Sequence, residues 1–159
     1  PAVLSKLEET GCKLEIGDNF VQLVAPKRLK AVEIKTLPYP GFPTDMQSIF
    51  GSILTIARGT SIITENIFEN RFKYATELNR MGAKTKTEGK TLIISGTRKL
   101  TAASVSSTDL RGGAALVLAG LVAKGKTKVD NIDYILRGYE GLDKKLSLLG
   151  ATIKRQEGD

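Results

Sequence analysis

Two Thr-Asp pairs, Thr44-Asp45 and Thr108-Asp109, are the residues of this chain whose type and position best suit chemistry. Each pair precedes an apolar stretch with helical spacing, so each aspartate is predicted in the first turn of a helix. Capping and compensation of the helix dipole are the common structural roles of such a carboxylate. General base catalysis is the functional alternative. The chain contains no histidine, so a base must be a carboxylate, a lysine, a tyrosine or water.

Three arginines accompany these pairs. Arg71 and Arg137 each precede a further predicted helix, and Arg111 falls in the first turn of another. A cation at a helix start opposes the helix dipole and needs a partner. Salt bridges with Glu69 and Glu140 are the structural explanation. The functional explanation is an anionic ligand that binds at the helix start and contacts the arginine.

The elements that position these residues follow from the apolar spacing and the prolines. Residues 36–43 hold three of the five prolines, which predicts a stiff loop leading to Asp45. Thr44 and Gln47 match a capping box at the start of the next helix. The buried face of that helix is predicted to comprise Ile49, Phe50, Ile53, Leu54 and Ala57. Residues 112–123 carry no polar side chain, so the helix there is predicted to be buried all round.

An internal repeat organises the chain. The phrase Leu-x-x-x-Gly-(Cys/Ala) occurs around Gly11, Gly82 and Gly150, about seventy residues apart. Each unit is predicted to run strand, helix, strand, helix and hairpin, which gives an α/β fold. Residues 1–28 are predicted to be the tail of one repeat, residues 29–98 the second repeat and residues 99–159 the third. The third repeat is predicted to begin a hairpin at Thr152.

Composition narrows the class of protein. With 159 residues, 41% of them hydrophobic and 26% charged, the chain fits one globular domain. The net charge of +7 suits anionic partners, but the lysines are dispersed without interleaved aromatics, so nucleic acid is not expected. The lone Cys12 allows no internal disulfide and is interpreted as a packing residue. Without histidine, a zinc site is not expected.

Targeting signals are not evident in the sequence. No apolar segment has the length needed to span a membrane, and the cytoplasm is the expected compartment. The chain starts at Pro1 without an initiator methionine, and its first residues already resemble the end of a helix. We therefore expect a piece of a longer protein.

Five motifs of the chain are informative together: Phe42 to Gln47, Thr64 to Phe72, Leu78 to Ala83, Thr108 to Arg111 and Arg137 to Glu140. In sequence and order they resemble the UDP-N-acetylglucosamine 1-carboxyvinyltransferases. The resemblance covers the whole chain in order. It implies an inside-out α/β barrel, in which each of two domains contains three βαβαββ units around buried helices. The chain would be part of one incomplete domain, and the remainder of the same enzyme would be its partner.

The resemblance also implies a reaction. Enolpyruvyl is transferred from phosphoenolpyruvate to the 3-hydroxyl of UDP-N-acetylglucosamine, and phosphate is released. This is the first committed step of bacterial peptidoglycan synthesis, which links it to cell wall biogenesis, cell shape and cell division. No metal or organic cofactor is implied.

Residue roles can be carried over from the resemblance position by position. Asp45 is implied to accept the proton of the sugar 3-hydroxyl. Ile67 is implied to touch the UDP-sugar, largely through its backbone. Arg137 is implied to bind phosphoenolpyruvate, while Arg71 and Arg111 line the cleft as supporting charges. Asp109 is implied to lie near the reacting centre.

The family's catalytic loop, with its Cys or Asp, falls outside these residues, as does its N-terminal Lys-Asn pair. Cys12 does not correspond to the catalytic cysteine, so the isolated chain is predicted to be inactive. Two alternatives remain: a related transferase that uses shikimate 3-phosphate, and a non-catalytic module that binds phosphorylated ligands. The segments Asn66 to Phe72 and Phe42 to Gln47 favour the UDP-sugar.

Overall fold

The computed structural model describes residues 1–157. The chain opens with helix α1 (Ala2–Glu9), which ends where Gly11 adopts a positive φ of 97°. The strands β1 (Lys13–Ile16) and β2 (Val21–Val24) then form an antiparallel hairpin. This is the hairpin that the alternation on either side of Gly17-Asp18-Asn19 predicts.

The central unit forms a four-stranded sheet with two helices. Its elements are strand β3 (Glu33–Lys35), a 3₁₀ turn (Thr44–Met46), helix α2 (Gln47–Leu54), strand β4 (Thr60–Thr64), helix α3 (Lys73–Arg80), and strands β5 (Lys84–Glu88) and β6 (Thr91–Ser95). The strand order is β3-β4-β6-β5, with β3 parallel to β4 and the other pairs antiparallel. The element order βαβαββ agrees with the predicted unit.

The last part of the described chain is less complete. Strand β7 (Ser104–Ser106) pairs in parallel with β8 (Lys128–Asp130), and helix α4 (Leu110–Val122) connects them. Helices α5 (Asp133–Leu136) and α6 (Leu142–Leu148) follow. Residues 152–157 form no strand, so the predicted third hairpin does not begin in the described residues. A strand forms only where a neighbouring strand can pair with its backbone N–H and C=O groups.

Helices α2, α3 and α4 meet around Tyr74, which is fully buried in α3. A Cβ on Gly51 of α2 would lie 2.4 Å from the Tyr74 hydroxyl oxygen, and a Cβ on Gly112 of α4 would lie 3.2 Å from Tyr74 Cβ. Both helices approach Tyr74 this closely because glycine has no side chain. The glycines of α2 and α4 therefore allow the three helices to pack closely.

The prediction that α4 is buried all round is wrong for its C-terminal end. Residues 112–116 are buried, whereas Leu121 is 40% exposed and Val122 is 55% exposed. The start of α4 packs against α2 and α3, but within residues 1–157 the last turn lacks an equivalent cover. In the described chain, no helix is both long and apolar enough to cross a membrane.

Candidate active site

Asp45 and Arg111 form an ion pair between the starts of α2 and α4. Arg111 Nε donates to Asp45 Oδ1. The two helices are tied together by Ser52 Oγ, which donates to the Ala115 carbonyl at 2.8 Å. The Asp45 side chain is 63% exposed, so the pair contributes little to stability. Its main effect is to orient a solvent-accessible carboxylate.

The capping-box prediction for Thr44 and Gln47 is wrong. Thr44 Oγ1 donates to Glu65 Oε2 at 2.8 Å, and Gln47 Nε2 donates to the same oxygen at 3.2 Å. Among the described residues, no side chain caps α2. Both side chains instead donate hydrogen bonds to Glu65, which follows the last residue of β4 and is only 3% exposed. A buried carboxylate requires donors, and this requirement outweighs local capping.

The other oxygen of Glu65 organises the loop after β4. Oε1 accepts the Thr36 hydroxyl at 2.7 Å, the Ile67 amide at 2.9 Å and the Phe68 amide at 3.2 Å. Burial alone raises the pKa of the Glu65 carboxyl, but the hydrogen bonds from Thr36, Ile67, Thr44 and Gln47 together outweigh it and hold the pKa below its usual value. Glu65 is therefore an ionised acceptor at neutral pH.

Tyr74 extends the same network to the centre of the helices. Its hydroxyl donates to Gln47 Oε1. Burial raises the pKa of the Tyr74 hydroxyl, and the charges of Glu65 and Asp109 raise it further. Tyr74 therefore stays protonated at neutral pH and is not a candidate base.

Ile67 and Arg71 line one cavity. Its volume is about 660 Å³, and its walls are residues 65–73 with Thr87, Gly89 and Lys90. The Arg71 guanidinium carbon lies 4.2 Å from the ring centroid of Phe68, a cation–π contact that fixes the arginine against the loop. Lys90 Nζ donates to Asn66 Oδ1 at 3.0 Å. The lining therefore carries three cations, Arg71, Lys73 and Lys90, against two carboxylates, Glu65 and Glu69, and the cavity opens beside the start of α3.

Asp109 has the structural role expected of a helix cap. It is the N-cap of α4, and its Oδ1 accepts the Gly112 amide at 2.8 Å. Thr108 Oγ1 lies 3.2 Å from Asp109 Oδ2. Asp109 therefore fixes the first turn of α4, which carries Arg111.

The prediction that a helix starts at Arg137 is wrong. Arg137 is exposed and follows the last residue of α5, while α6 begins only at Leu142. The left-handed Gly141, with φ of 57°, separates the two helices. A Cβ on Gly138 would lie 2.5 Å from Leu110 Cδ1, so the backbone after Arg137 packs against the first residue of α4.

The predicted structural partners of two arginines are not observed. Within residues 1–157, Arg71 forms no salt bridge with Glu69, and Arg137 forms none with Glu140. The same part of the chain contains no group of three or more His, Cys, Asp or Glu side chains that could hold a metal ion.

The chain matches a protein-family model over residues 1–146, and that model describes EPSP synthase, or 3-phosphoshikimate 1-carboxyvinyltransferase. The chain belongs to the EPSP synthase family. A crystal structure of the enolpyruvyl transferase NikO from Streptomyces tendae superposes with a TM-score of 0.83 at 28% identity, and the match covers 96% of this chain and 36% of that one. The predicted fold class is therefore confirmed.

Relatives within the EPSP synthase family carry a more specific name. A UDP-N-acetylglucosamine 1-carboxyvinyltransferase 2 of Caldanaerobacter subterraneus is 55% identical over 154 residues, which are 96% of this chain and 37% of the relative. A UDP-N-acetylglucosamine 1-carboxyvinyltransferase of Erwinia tasmaniensis is 53% identical over 159 residues, 99% of this chain and 38% of the relative. The predicted family resemblance is confirmed. This chain spans little more than a third of the length of either relative.

An EPSP synthase structure from Acinetobacter baumannii also shares the fold. It superposes with a TM-score of 0.61 at 21% identity, covering 87% of this chain and 36% of that one. This lower similarity establishes only the shared architecture of the family.

The structure brings two sets of predicted site residues together, Asp45 with Arg111 and Ile67 with Arg71. Sequence reasoning missed Glu65, which joins these sets through its two oxygens. A signal was available, because Ser61 and Ile63 are buried and strand alternation places the residue after Thr64 on the same side. A charged residue at a core-facing position indicates a buried polar network.

Proposed function

We propose that the full-length protein carrying this sequence transfers enolpyruvyl from phosphoenolpyruvate to the 3-hydroxyl of UDP-N-acetylglucosamine and releases phosphate. The observation that carries the proposal is the exposed Asp45 carboxylate, which is held by Arg111 on a turn that Glu65 also fixes. The names and high identity of the relatives support the acceptor.

The reaction requires a base at the acceptor hydroxyl. A new C–O bond forms between the sugar oxygen and the enolpyruvyl carbon, the bond from that carbon to the phosphate oxygen breaks, and the hydroxyl loses its proton. We assign the removal of that proton to Asp45. An accessible carboxylate with a fixed orientation suits general base catalysis. Arg111 orients it and adds positive charge near the two anionic substrates.

Ile67 and Arg71 are assigned to the UDP-sugar. They line the cavity of about 660 Å³ beside the start of α3, where an anionic group is favoured by the helix dipole and by Arg71. The Ile67 amide already donates to Glu65, so its carbonyl is the backbone group available to a ligand. The backbone contact with the UDP-sugar that the resemblance implies for Ile67 is therefore assigned to this carbonyl.

Arg137 is assigned to phosphoenolpyruvate. Its guanidinium is exposed, and the neighbouring Gly138 packs against Leu110 at the start of α4. This packing connects Arg137 to the helix start that carries Arg111. Asp109 is assigned a supporting role, because it caps the helix on which Arg111 lies. An exposed guanidinium is well suited to bind a carboxylate or a phosphate.

The biological setting follows from the proposed reaction. The full-length enzyme would act in the bacterial cytoplasm at the first committed step of peptidoglycan synthesis, and so support cell wall biogenesis, cell shape and cell division. We propose that residues 1–28, 29–98 and 99–159 belong to three successive repeats of one domain. The rest of the enzyme would complete that domain and supply the catalytic loop, so residues 1–159 alone are expected to be inactive.

Phosphate release by the full-length enzyme tests the acceptor. Phosphoenolpyruvate is supplied with UDP-N-acetylglucosamine in one reaction and with shikimate 3-phosphate in the other. The shikimate acceptor is the second candidate because the matched family model is named for it. Release with UDP-N-acetylglucosamine alone is the expected result. Release with shikimate 3-phosphate alone would overturn the assignment, and release with neither would favour a non-catalytic module that binds phosphorylated ligands.

A further inference from the structure

Glu65 is a buried charge that the proposed reaction does not use, yet it contacts both parts of the site. Its Oε2 accepts the Thr44 hydroxyl at 2.8 Å and the Gln47 amide at 3.2 Å. Thr44 and Gln47 flank Asp45, one in the 3₁₀ turn and the other at the first residue of α2. This oxygen therefore holds the turn that presents Asp45.

The second oxygen holds the loop that leads to Arg71. Oε1 accepts two successive backbone amides, Ile67 at 2.9 Å and Phe68 at 3.2 Å. It also accepts the Thr36 hydroxyl at 2.7 Å, and that hydroxyl oxygen in turn accepts the Asn66 amide at 2.8 Å. The loop backbone from Asn66 to Phe68 is thus fixed by one carboxylate oxygen and its closest partner.

We infer that Glu65 is a positioning residue that couples the two halves of the site, with one oxygen fixing the turn that carries Asp45 and the other fixing the loop that carries Ile67 and Arg71. The kinetic consequences rest on the proposed function, whereas the contacts do not. All five groups that approach Glu65 act as donors, which suits a carboxylate with acceptor oxygens only.

Glu65→Gln should break this arrangement without a large change of volume. Glutamine places an NH₂ group where donors already point. An NH₂ at the Oε1 position would oppose two backbone amides, which cannot become acceptors. An NH₂ at the Oε2 position would oppose only the Gln47 amide and the adaptable Thr44 hydroxyl, so this orientation is expected. If Gln47 exchanged its amide groups to accept from this NH₂, the buried Tyr74 hydroxyl would lose the acceptor of its proton.

The expected consequence is a loosened Asp45 turn with a retained Ile67 loop. In the full-length enzyme, we expect E65Q to lower kcat at least about tenfold, since small misplacements of a catalytic group are costly. The KM for UDP-N-acetylglucosamine should change by less than about threefold, because the loop amides keep their acceptor. A uniform loss of folded enzyme would also lower the apparent kcat without changing KM, so kcat is calculated per folded enzyme, with the folded fraction measured by circular dichroism.

Glu77→Gln is the matched control. Glu77 is also a largely buried glutamate that accepts a backbone amide, that of Ser106 at 2.7 Å, and it pairs with Arg80 at 3.7 Å. It belongs to α3, and the hydrogen bond and salt bridge recorded for it in the described chain go to Ser106 and Arg80 rather than to Asp45 or the loop after β4. E77Q should change kcat by less than about twofold per folded enzyme. Equal losses of kcat in E65Q and E77Q would overturn the positioning role.

Thr44→Val tests the contact between Thr44 and Glu65 by changing the donor. This variant removes one donor and leaves Glu65 in place, so it remains informative where E65Q does not fold. T44V should lower kcat several-fold, and the E65Q/T44V double variant should lose less than the product of the single losses, because both changes act on one contact. Multiplicative losses, or an unchanged kcat in T44V, would contradict the inference.

Amide hydrogen exchange separates this inference from the proposed function. In E65Q, the amides of residues 44–47 should exchange faster than in the parent, whereas E77Q should leave that segment unchanged. A parent that releases no phosphate would refute the proposed reaction, but faster exchange of this segment in E65Q would still support the positioning role. Parent-like exchange in E65Q would overturn it, whatever the enzyme catalyses.

Discussion

Gly51→Ala tests whether Tyr74 is held as tightly between the helices as the structure shows. A Cβ on Gly51 would lie 2.4 Å from the Tyr74 hydroxyl oxygen, 2.9 Å from Cε2 and 3.0 Å from Cζ. The hydroxyl cannot move away freely, because it donates to Gln47 in a fully buried site. The added methyl group must therefore displace the ring or part the helices.

The expected loss of stability follows from opposing contributions. Replacing glycine by alanine within a helix favours folding by about 0.5–1 kcal/mol. Overpacking a core costs about 1–3 kcal/mol, and loss of the Tyr74 hydrogen bond costs about 1 kcal/mol more. The net loss is about 1–3.5 kcal/mol. For a domain of about 150–250 residues, that lowers the unfolding midpoint by about 2–14 °C.

Thermal unfolding of the full-length enzyme, followed by far-ultraviolet circular dichroism, measures this shift. Gly120→Ala in α4 is the control, since its Cβ would lie no closer than 3.3 Å to Thr127 and the midpoint should change by less than about 3 °C. Tyr74→Phe should restore part of the loss caused by G51A, because it removes the closest atom. A G51A midpoint equal to or above that of the parent would refute the packing argument, as would an absence of rescue.

Two further predictions concern charge. Arg137→Ala should raise the KM for phosphoenolpyruvate more than the KM for UDP-N-acetylglucosamine, since the exposed guanidinium is assigned to the smaller anion; equal effects in steady-state kinetics would remove that assignment. For Glu65, the folded-state pKa lies below its unfolded value, so its contribution to stability is complete above about pH 4.5 and is lost as the pH falls through the folded pKa. The melting temperatures of the parent and E65Q should therefore differ less at about pH 3 than at about pH 6. An equal difference at both pH values would show that Glu65 does not titrate in this way.

Local sequence patterns predicted the elements that depend on local interactions. Gly11 ends α1, and Asp109 caps α4 through the Gly112 amide. The hairpin of β5 and β6 turns at Gly89, which has a positive φ of 57°. These features follow from backbone preferences and short-range hydrogen bonds, which neighbouring residues determine.

Features that depend on distant partners were harder to predict. Thr44 and Gln47 fit a capping pattern, but Glu65, some twenty residues away, takes their hydrogen bonds. The apolar end of α4 suggested full burial, whereas Leu121 and Val122 are exposed in the described residues. The pairing of Asp45 with Arg111 depends on how α2 and α4 pack, and neither helix encodes that contact alone.

Turnover by the Asp45→Asn variant of the full-length enzyme tests the central claim most directly. Asparagine preserves the size of the side chain but cannot accept the hydroxyl proton as a carboxylate does. With saturating phosphoenolpyruvate and UDP-N-acetylglucosamine, phosphate release should fall by about 100-fold or more, while the UDP-sugar still binds and the melting temperature stays close to that of the parent. Phosphate release within about threefold of the parent would contradict the assignment of Asp45 as the base.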